Sequence, residues 1–360
     1  MRSKAKTILA WSLIPQILVV KGLSYFPNFI EVVYSNGIYQ WISTLMRYVF
    51  GWIPLSFGDI IYTIAGIYLI RWVILNRRRF IKEIKSVLLD VVAAIALLYL
   101  AFNLLWGLNY YRLPLHKTLG LEAEYTTEEL LNVTDILIVK ANDLHARINE
   151  SDTIKVTVPY GKSELLKMST EGFEWLKLKY PSLDPSPRSV KRSIYSIPLT
   201  YMGFGGYLNP FTNEAQIDGI IPLHKYPVTA CHEQAHQIGY AAENEANFIG
   251  FLGAANNEDL YFRYAAHIFA LKHCLYEVAR RDADMFETKK TMLRPGIIKN
   301  YEEERLFWMS YQNPLEPIFK ETFNTFLKAN SQADGIKSYS YVVALLVNYY
   351  KSEVDNKTLN

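Results

Sequence analysis

Residues 232–236 read His-Glu-Gln-Ala-His, an HExxH pattern whose residue types and spacing suit one particular chemistry. On an α-helix, His232 and His236 lie one turn apart on the same face, so both imidazoles can bind one zinc ion. Glu233 then lies beside the metal, where its carboxylate can take a proton from the attacking water. The pattern predicts the core of a zinc-dependent hydrolase, with Zn²⁺ as its cofactor.

The residues around this motif indicate that it lies on a helix. An HExxH pattern arises by chance in roughly one chain in a hundred of this length, so the context matters. Pro227 suits the first turn of a helix, and Gly239 suits its end. We therefore expect both histidines to project from one helical face.

A third protein ligand has to come from a neighbouring element, because two histidines leave a tetrahedral zinc site incomplete. A second helix is predicted after Gly239, over residues 243–252. A turn between the two helices would make them antiparallel and place a carboxylate opposite the histidines. We choose Glu245 as the third zinc ligand, with Glu243 as the alternative.

Two resemblances extend this interpretation. The run Glu245-Ala246-Asn247, followed by Phe251, resembles the segment after HExxH in the gluzincins, zinc metallopeptidases in which that glutamate is the third zinc ligand. Over its whole length the chain resembles an uncharacterised family of bacterial membrane proteins, domain of unknown function 3810. The matching segments are residues 106–112, 206–212, the HExxH helix, 245–247 and 335–339. The second resemblance supports a fold and a topology, and it says almost nothing about a substrate.

Hydrolysis also needs a donor to the oxyanion that develops on the cleaved carbonyl. Tyr339, in the last matching segment, is our candidate for this catalytic role, and His224 is a second candidate. We expect the remaining histidines to be structural or surface residues. Cys231 and Cys274 could form one disulfide, but Cys231 lies within the HExxH helix and is better explained as a packed small residue.

Apolar residues concentrate in residues 1–110, which are predicted to form a membrane anchor with three transmembrane helices at about 7–26, 55–75 and 88–108. Residues 91–108 include no charge over eighteen positions, so the third span is the clearest. Residues 39–57 are rich in aromatic side chains, and Arg47 is their only charge. Such a segment suits the membrane interface, so the lipid bilayer is an expected partner.

Basic residues predict the orientation of this anchor. They cluster at the N-terminus and between the second and third spans: Arg2, Lys4, Lys6, Arg77, Arg78, Arg79, Lys82 and Lys85. Cytoplasmic loops carry such an excess. We therefore expect a multi-pass protein of the bacterial cell membrane, with its C-terminal domain outside the cytoplasm.

Residues 111–360 are expected to form that domain, a helix-dominated α+β fold similar to zincins. A capping box at residues 126–129 opens a helix towards Ile148. Further helices are predicted at 163–178, 260–280, 302–311, 315–329 and 338–350, and strands at 153–158, 189–197 and 214–221. In zincin-type folds the strand above the metal binds an extended peptide, and Glu214–Asp218 is our candidate for it.

The function that these patterns favour is a membrane-anchored zinc metallopeptidase, acting on a peptide or protein substrate at the outer face of the cytoplasmic membrane. The alternative is a catalytically silent binding or assembly protein that keeps zinc as a structural element. Glu233 favours the enzyme, because a purely structural site has no use for a carboxylate beside the metal. A formal net charge of +3 gives no indication of a nucleic-acid partner.

Overall fold

The structure is a computed structural model that describes residues 3–330 and 341–358. Three of its helical stretches are long and apolar enough to cross a membrane, namely Lys4–Leu23, Phe57–Lys82 and Ile84–Leu105. The first consists of α1 (Ser3–Trp11) and α2 (Leu13–Leu23), and the other two are α5 and α6. The three predicted spans agree with these helices to within a few residues at most of their ends.

Charged side chains hold the three helices together at one end. Lys6 and Arg79 both bind Asp90, at 2.5 Å and 2.9 Å. Asp59, at the other end of α5, accepts hydrogen bonds from Ser193 Oγ and the Ile194 backbone N–H, both at 2.8 Å. Twenty helical residues between Asp59 and Arg79 span about 30 Å. The basic end of the bundle is therefore remote from the rest of the chain.

The segment between the first and second long helices is helical as well. It contains α3 (Pro27–Phe29), a π-helix at Ile30–Ile38 and α4 (Tyr39–Phe50). α4 has two different faces, since Tyr39 and Arg47 are fully buried against later parts of the chain while Trp41 and Tyr48 are exposed. The exposed aromatic side chains that suit a membrane interface therefore lie on one side of α4 only.

The remaining α-helices all follow residue 112. They are α7 (Leu115–Leu119), α8 (Thr127–Ile148), α9 (Lys162–Met168), α10 (Glu171–Lys179), α11 (Ser196–Met202), α12 (Tyr226–Gln237), α13 (Glu243–Ala255), α14 (Leu260–Arg281), α15 (Ala283–Thr291), α16 (Pro295–Ser310), α17 (Glu316–Ala329) and α18 (Val342–Thr358). The predicted capping box is formed, with the Thr126 hydroxyl and the Glu129 carboxylate each accepting the other's backbone N–H. The helix predicted at 163–178 is two helices, α9 and α10, interrupted at Ser169 and Thr170.

One small mixed sheet accompanies these helices. Its strands are β1 (Val190–Arg192), β2 (Gly206–Asn209) and β3 (Glu214–Ile217), in the order β1-β3-β2. β3 pairs in parallel with β1 and antiparallel with β2. Glu214–Asp218, our candidate for the strand that binds an extended peptide, offers no open edge, because β3 is central and the unpredicted β2 takes the edge.

The strand predicted at 153–158 does not form. Val156 and Val158 are both buried, as the alternating pattern requires. The backbone of Val156 pairs instead with the side-chain amide of Asn300. The Val156 N–H donates to Asn300 Oδ1, and Asn300 Nδ2 donates to the Val156 carbonyl oxygen, both at 3.0 Å. The pattern indicated burial correctly, but a helix side chain takes the place of a partner strand.

Candidate metal centre

The HExxH motif lies on α12, which begins and ends as its sequence predicts. Pro227 occupies the first turn. Gly239 has a φ of 91° and follows the helix end, where the Gly239 N–H bonds to His236 O and the Tyr240 N–H bonds to Ala235 O. These two bonds form a Schellman motif, which requires a left-handed residue that glycine supplies without strain. The chain turns there into α13.

α12 and α13 pack antiparallel and bring three potential metal ligands together. His232 Nε2 lies 3.3 Å from Glu243 Oε2, and His236 Nε2 lies 3.8 Å from Glu243 Oε1. The ligand atoms of the three residues all fall within 4.8 Å of one another. Gly250 permits this close packing, because a Cβ atom there would meet the backbone of His232 at about 3 Å.

Glu245, the predicted third ligand, does not lie with the histidines. Its carboxylate accepts a hydrogen bond from the Leu115 backbone N–H at 2.6 Å. Residues two apart on a helix point in nearly opposite directions, so Glu243 and Glu245 cannot both face α12. The cluster that the structure forms therefore contains the alternative, Glu243, and not Glu245. Asn247, one turn after Glu243, lies on the same face and interacts with His232.

Hydrogen bonding prepares His236 to bind a metal through one defined atom. His236 Nδ1 lies 2.6 Å from the carbonyl oxygen of Tyr240, so Nδ1 carries the proton and Nε2 keeps its lone pair. Burial lowers the pKa of His236 to about 4, so the ring is neutral at physiological pH. Two imidazoles and one carboxylate are the donor set of many catalytic zinc sites, and these residues fit Zn²⁺.

Glu233 is buried beside this cluster. Burial, with a smaller contribution from the nearby Glu243, raises the pKa of its carboxyl to about 8, although His232 acts in the opposite direction. Within the described part of the chain, Glu233 Oε2 has no hydrogen-bond partner. A buried carboxyl oxygen without a partner is costly, and this oxygen is available to a group that enters the site.

β2 passes directly over Glu233. A Cβ atom on Gly206 would lie 2.7 Å from Glu233 Oε1, so only glycine fits at this position. Gly206, Tyr207 and Leu208 all line the same cavity as the metal cluster. The strand edge above the site therefore belongs to β2 and not to the predicted β3.

Five side chains from residues 39–112 also form part of this site, because they satisfy the carbonyl groups at the end of α12. The last carbonyls of a helix lack intrahelical partners and carry the negative end of its dipole. The donors are Trp106 Nε1 to His236 O (3.1 Å), Tyr39 Oη and Arg47 Nη1 to Gln237 O (2.8 and 3.2 Å), Gln40 Nε2 to Ile238 O (3.3 Å) and Arg112 Nη1 to Gly239 O (3.0 Å). Residue 110, the predicted end of the membrane anchor, therefore does not separate two independently packed parts, because residues before it pack around the candidate metal centre.

A cavity of ≈ 890 Å³ gives access to the cluster. Its walls include one end of α5 through Tyr62 and one end of α6 through Phe102, two helices long and apolar enough to cross a membrane. The helix α17 contributes Phe323. His224 lines this cavity, as the sequence suggested. Tyr339, the other predicted donor, lies outside the described residues.

Tyr110 is a site residue that the sequence reasoning missed. It is partly buried, lines the cavity and interacts with Glu243. Burial raises the pKa of its phenol well above 10, and Glu243 adds to this effect, so the hydroxyl keeps its proton and can donate a hydrogen bond. Its place in the segment 106–112 was the only sequence signal for it.

Both cysteines lie on helices, and both are buried. Cys231 and Cys274 are buried free thiols, and Cys231 Sγ donates to the carbonyl oxygen of Ser169 at 3.3 Å. Burial raises the pKa of the Cys231 thiol, so it remains a neutral thiol on the side of α12 that faces away from the histidines.

Comparison with known proteins identifies the family of this chain. No curated protein and no solved structure matches it. A family model described as a protein of unknown function (DUF3810) matches residues 34–347, a range that includes α5, α6 and every residue of the cluster. The chain therefore belongs to the DUF3810 family.

Proposed function

We propose that this protein is a membrane-anchored zinc metallopeptidase with a zincin-like site, which hydrolyses peptide bonds at the outer face of the cytoplasmic membrane. The single observation that carries the proposal is Glu233. This carboxylate is buried beside His232, His236 and Glu243, and its Oε2 has no partner among the described residues. A general base positioned for an incoming water molecule has these properties.

In this proposal each residue has a separate role. His232, His236 and Glu243 hold the zinc ion, which supplies a Lewis acid that polarises the substrate carbonyl and acidifies water. Glu233 accepts the proton of the attacking water and later transfers it to the leaving amine. Tyr110 donates a hydrogen bond to the oxygen that becomes negatively charged.

The free edge of β2 is the proposed substrate platform. An extended peptide can add to an exposed strand by backbone hydrogen bonds. These bonds fix the position of the peptide whatever its side chains are. Because Gly206 brings β2 against Glu233, a peptide on this edge passes directly over the general base.

The cavity walls support action close to the membrane. Tyr62 and Phe102 belong to helices that are long and apolar enough to cross a bilayer. Lys6 and Arg79 lie at the opposite end of the helix bundle, and positive charge favours the cytoplasmic side. The cavity would then open on the outer side, within reach of peptide segments at the membrane surface.

Replacement of Glu233 by Gln tests this function. Gln is nearly isosteric, so the variant should keep its zinc, while cleavage should fall by about a hundred- to ten-thousand-fold. The assay compares new peptide termini in membranes of deletion cells that carry wild type, Glu233→Gln or the exposed control Glu150→Gln. The control should match wild type. Equal cleavage and full complementation by Glu233→Gln would favour the alternative, a binding protein with structural zinc.

A further inference from the structure

A cluster of charged residues lies in the wall of the same cavity, away from the metal ligands. Lys225 precedes α12, Lys272 lies on α14 and Glu304 lies on α16, and all three line the cavity. Lys225 binds Glu304 Oε1 through its ammonium group, and Lys272 Nζ lies 3.0 Å from Glu304 Oε2. We call these three residues the lysine subsite.

With both ammonium groups protonated, the lysine subsite has one more positive than negative charge. Burial lowers the pKa of Lys225, and the adjacent Glu304 opposes this lowering. Burial alone would raise the pKa of Glu304, but the two lysines lower it to about 2, so the carboxylate is ionised. Burial lowers the pKa of the adjacent His224 to about 4, so this ring is neutral and does not change the sum. The next acidic group, Glu303, lies 2.7 Å from Lys155 and is already paired with it.

His224 adds an independent sign of a ligand. Its side chain is 5 % exposed, and its Nε2 atom has no hydrogen-bond partner in residues 3–330 and 341–358. The ring lines the cavity together with the lysine subsite. An unpartnered buried nitrogen beside excess positive charge is a costly arrangement unless an anionic group binds there.

The helix fixes the separation between this subsite and the metal ligands. Lys225, Thr229, His232 and His236 follow one another at intervals of four, three and four residues, and all four line the cavity. Seven residues separate Lys225 from His232, which is about 10 Å along the helix axis. An extended peptide covers about 3.3 Å per residue, so about three residues bridge this distance.

We propose that the lysine subsite binds a carboxylate of the substrate, about three residues from the peptide bond that is cleaved. The carboxylate belongs either to the C-terminus of the peptide or to an acidic side chain. A single excess positive charge matches a carboxylate better than it matches a phosphate dianion. This inference rests on the proposed function, because the spacing is counted from the metal ligands.

The test uses three probes that bind zinc through a hydroxamate group and differ only at the far end of a Leu-Phe-Ala backbone. The first ends in a free carboxylate, the second in a carboxamide, and the third has a carboxamide end with an aspartate side chain in place of the alanine. Binding to the full-length, zinc-loaded protein in detergent is measured by calorimetry. One hydrogen-bonded charge pair should make the first or third probe bind about tenfold more tightly than the second. Which of the two gains affinity distinguishes a chain end from an acidic side chain.

Variants show whether the lysine subsite causes this difference. In Lys272→Gln the tenfold preference should disappear, whereas Lys272→Arg, which keeps the charge, and Lys290→Gln, an exposed control on α15, should retain it. Thermal unfolding of each variant checks that it is folded. Equal affinity for carboxylate and carboxamide in wild type would overturn the inference while the proposed metal centre stands. If no hydroxamate binds, the proposed metal centre fails and the inference fails with it.

Discussion

The choice of a candidate third metal ligand depends on which of two glutamates on α13 faces α12. Glu243 is the first residue of α13, and its carboxylate points at both histidines. Glu245 points towards the N-terminal part of the chain, where burial raises its pKa to about 7 and the Leu115 N–H donates to it. The two residues therefore have different surroundings, Glu243 beside the histidines of the candidate metal centre and Glu245 against the backbone of Leu115.

The zinc content of purified variants distinguishes the proposed ligand Glu243 from Glu245. Glu243→Gln should lose most of its zinc, as should His232→Ala or His236→Ala, because each substitution removes one of three protein ligands. Glu245→Gln should keep about one zinc ion per chain, although its stability falls because a buried hydrogen bond changes. Metal analysis of gel-filtered protein provides the measurement. Zinc loss from Glu245→Gln with retention in Glu243→Gln would restore the assignment made from the sequence.

At the scale of elements, β2 and α12 approach each other so closely at Gly206 that a side chain does not fit there. A Cβ atom on Gly206 would meet Glu233 Oε1 and the carbonyl oxygen of Gln216, both at 2.7 Å. Since the carbonyl oxygen of Gln216 is backbone, β2 can accept a methyl group only by moving away from β3, and the methyl group would also displace the Glu233 carboxylate.

Gly206→Ala should therefore reduce cleavage by at least tenfold while zinc content stays near wild type, because Glu233 is not a ligand. Misplacement of a catalytic group by about 1 Å can cost up to about a hundredfold in rate. Gly161→Ala is the matched control, since a Cβ atom there meets nothing within 4 Å. A Gly206→Ala protein with full activity would show that β2 does not constrain the general base.

The end of α12 depends on residues from α4. Tyr39 is fully buried, donates to Gln237 O at 2.8 Å and accepts from Asn213 Nδ2 at 2.9 Å. Its neighbour Arg47 places a positive charge at the same helix end, where the dipole is negative.

Tyr39→Phe should lower the free energy of unfolding by about 1 to 2 kcal/mol, since it removes buried hydrogen bonds and little volume. Tyr48→Phe provides the control on the same helix, because Tyr48 is 67 % exposed. The comparison uses denaturant unfolding of both variants in the same detergent. Identical midpoints would mean that α4 contributes nothing to the stability of α12.

At the scale of the whole molecule, the helix bundle carries its basic residues at one end and the metal centre at the other. Lys6 and Arg79 bind Asp90, about 30 Å from the end of α5 at which Asp59 contacts Ser193. If the positive charges face the cytoplasm, the metal centre faces outwards.

Cysteine labelling in intact cells tests this orientation. The native Cys231 and Cys274 are buried, so they should not react with a membrane-impermeant maleimide. We expect Lys290→Cys to react from outside and Arg78→Cys to react only after the membrane is opened. The reverse pattern would place the metal centre in the cytoplasm.

The sequence by itself determined the features that depend on neighbours in the chain. The HExxH spacing, Pro227 and Gly239 define a helix with two histidines on one face, and long apolar runs define three helical stretches long enough to cross a membrane. The capping box at Thr126 and Glu129 is another such feature. In each case residues fewer than about twenty-five positions apart contain the whole physical cause, whether it is helical periodicity, a turn or a hydrophobic length.

Only the tertiary structure decided the features that depend on distant parts of the chain. The helix signal after Gly239 did not give the rotation of α13, so it could not distinguish Glu243 from Glu245. Alternation at 153–158 indicated burial, but Asn300, 144 positions from Val156, took the place of a strand. Tyr39 reaches Gln237 across 198 positions. Such contacts depend on the packing of the whole chain, because no local pattern of residues records which distant groups will satisfy a buried hydrogen bond.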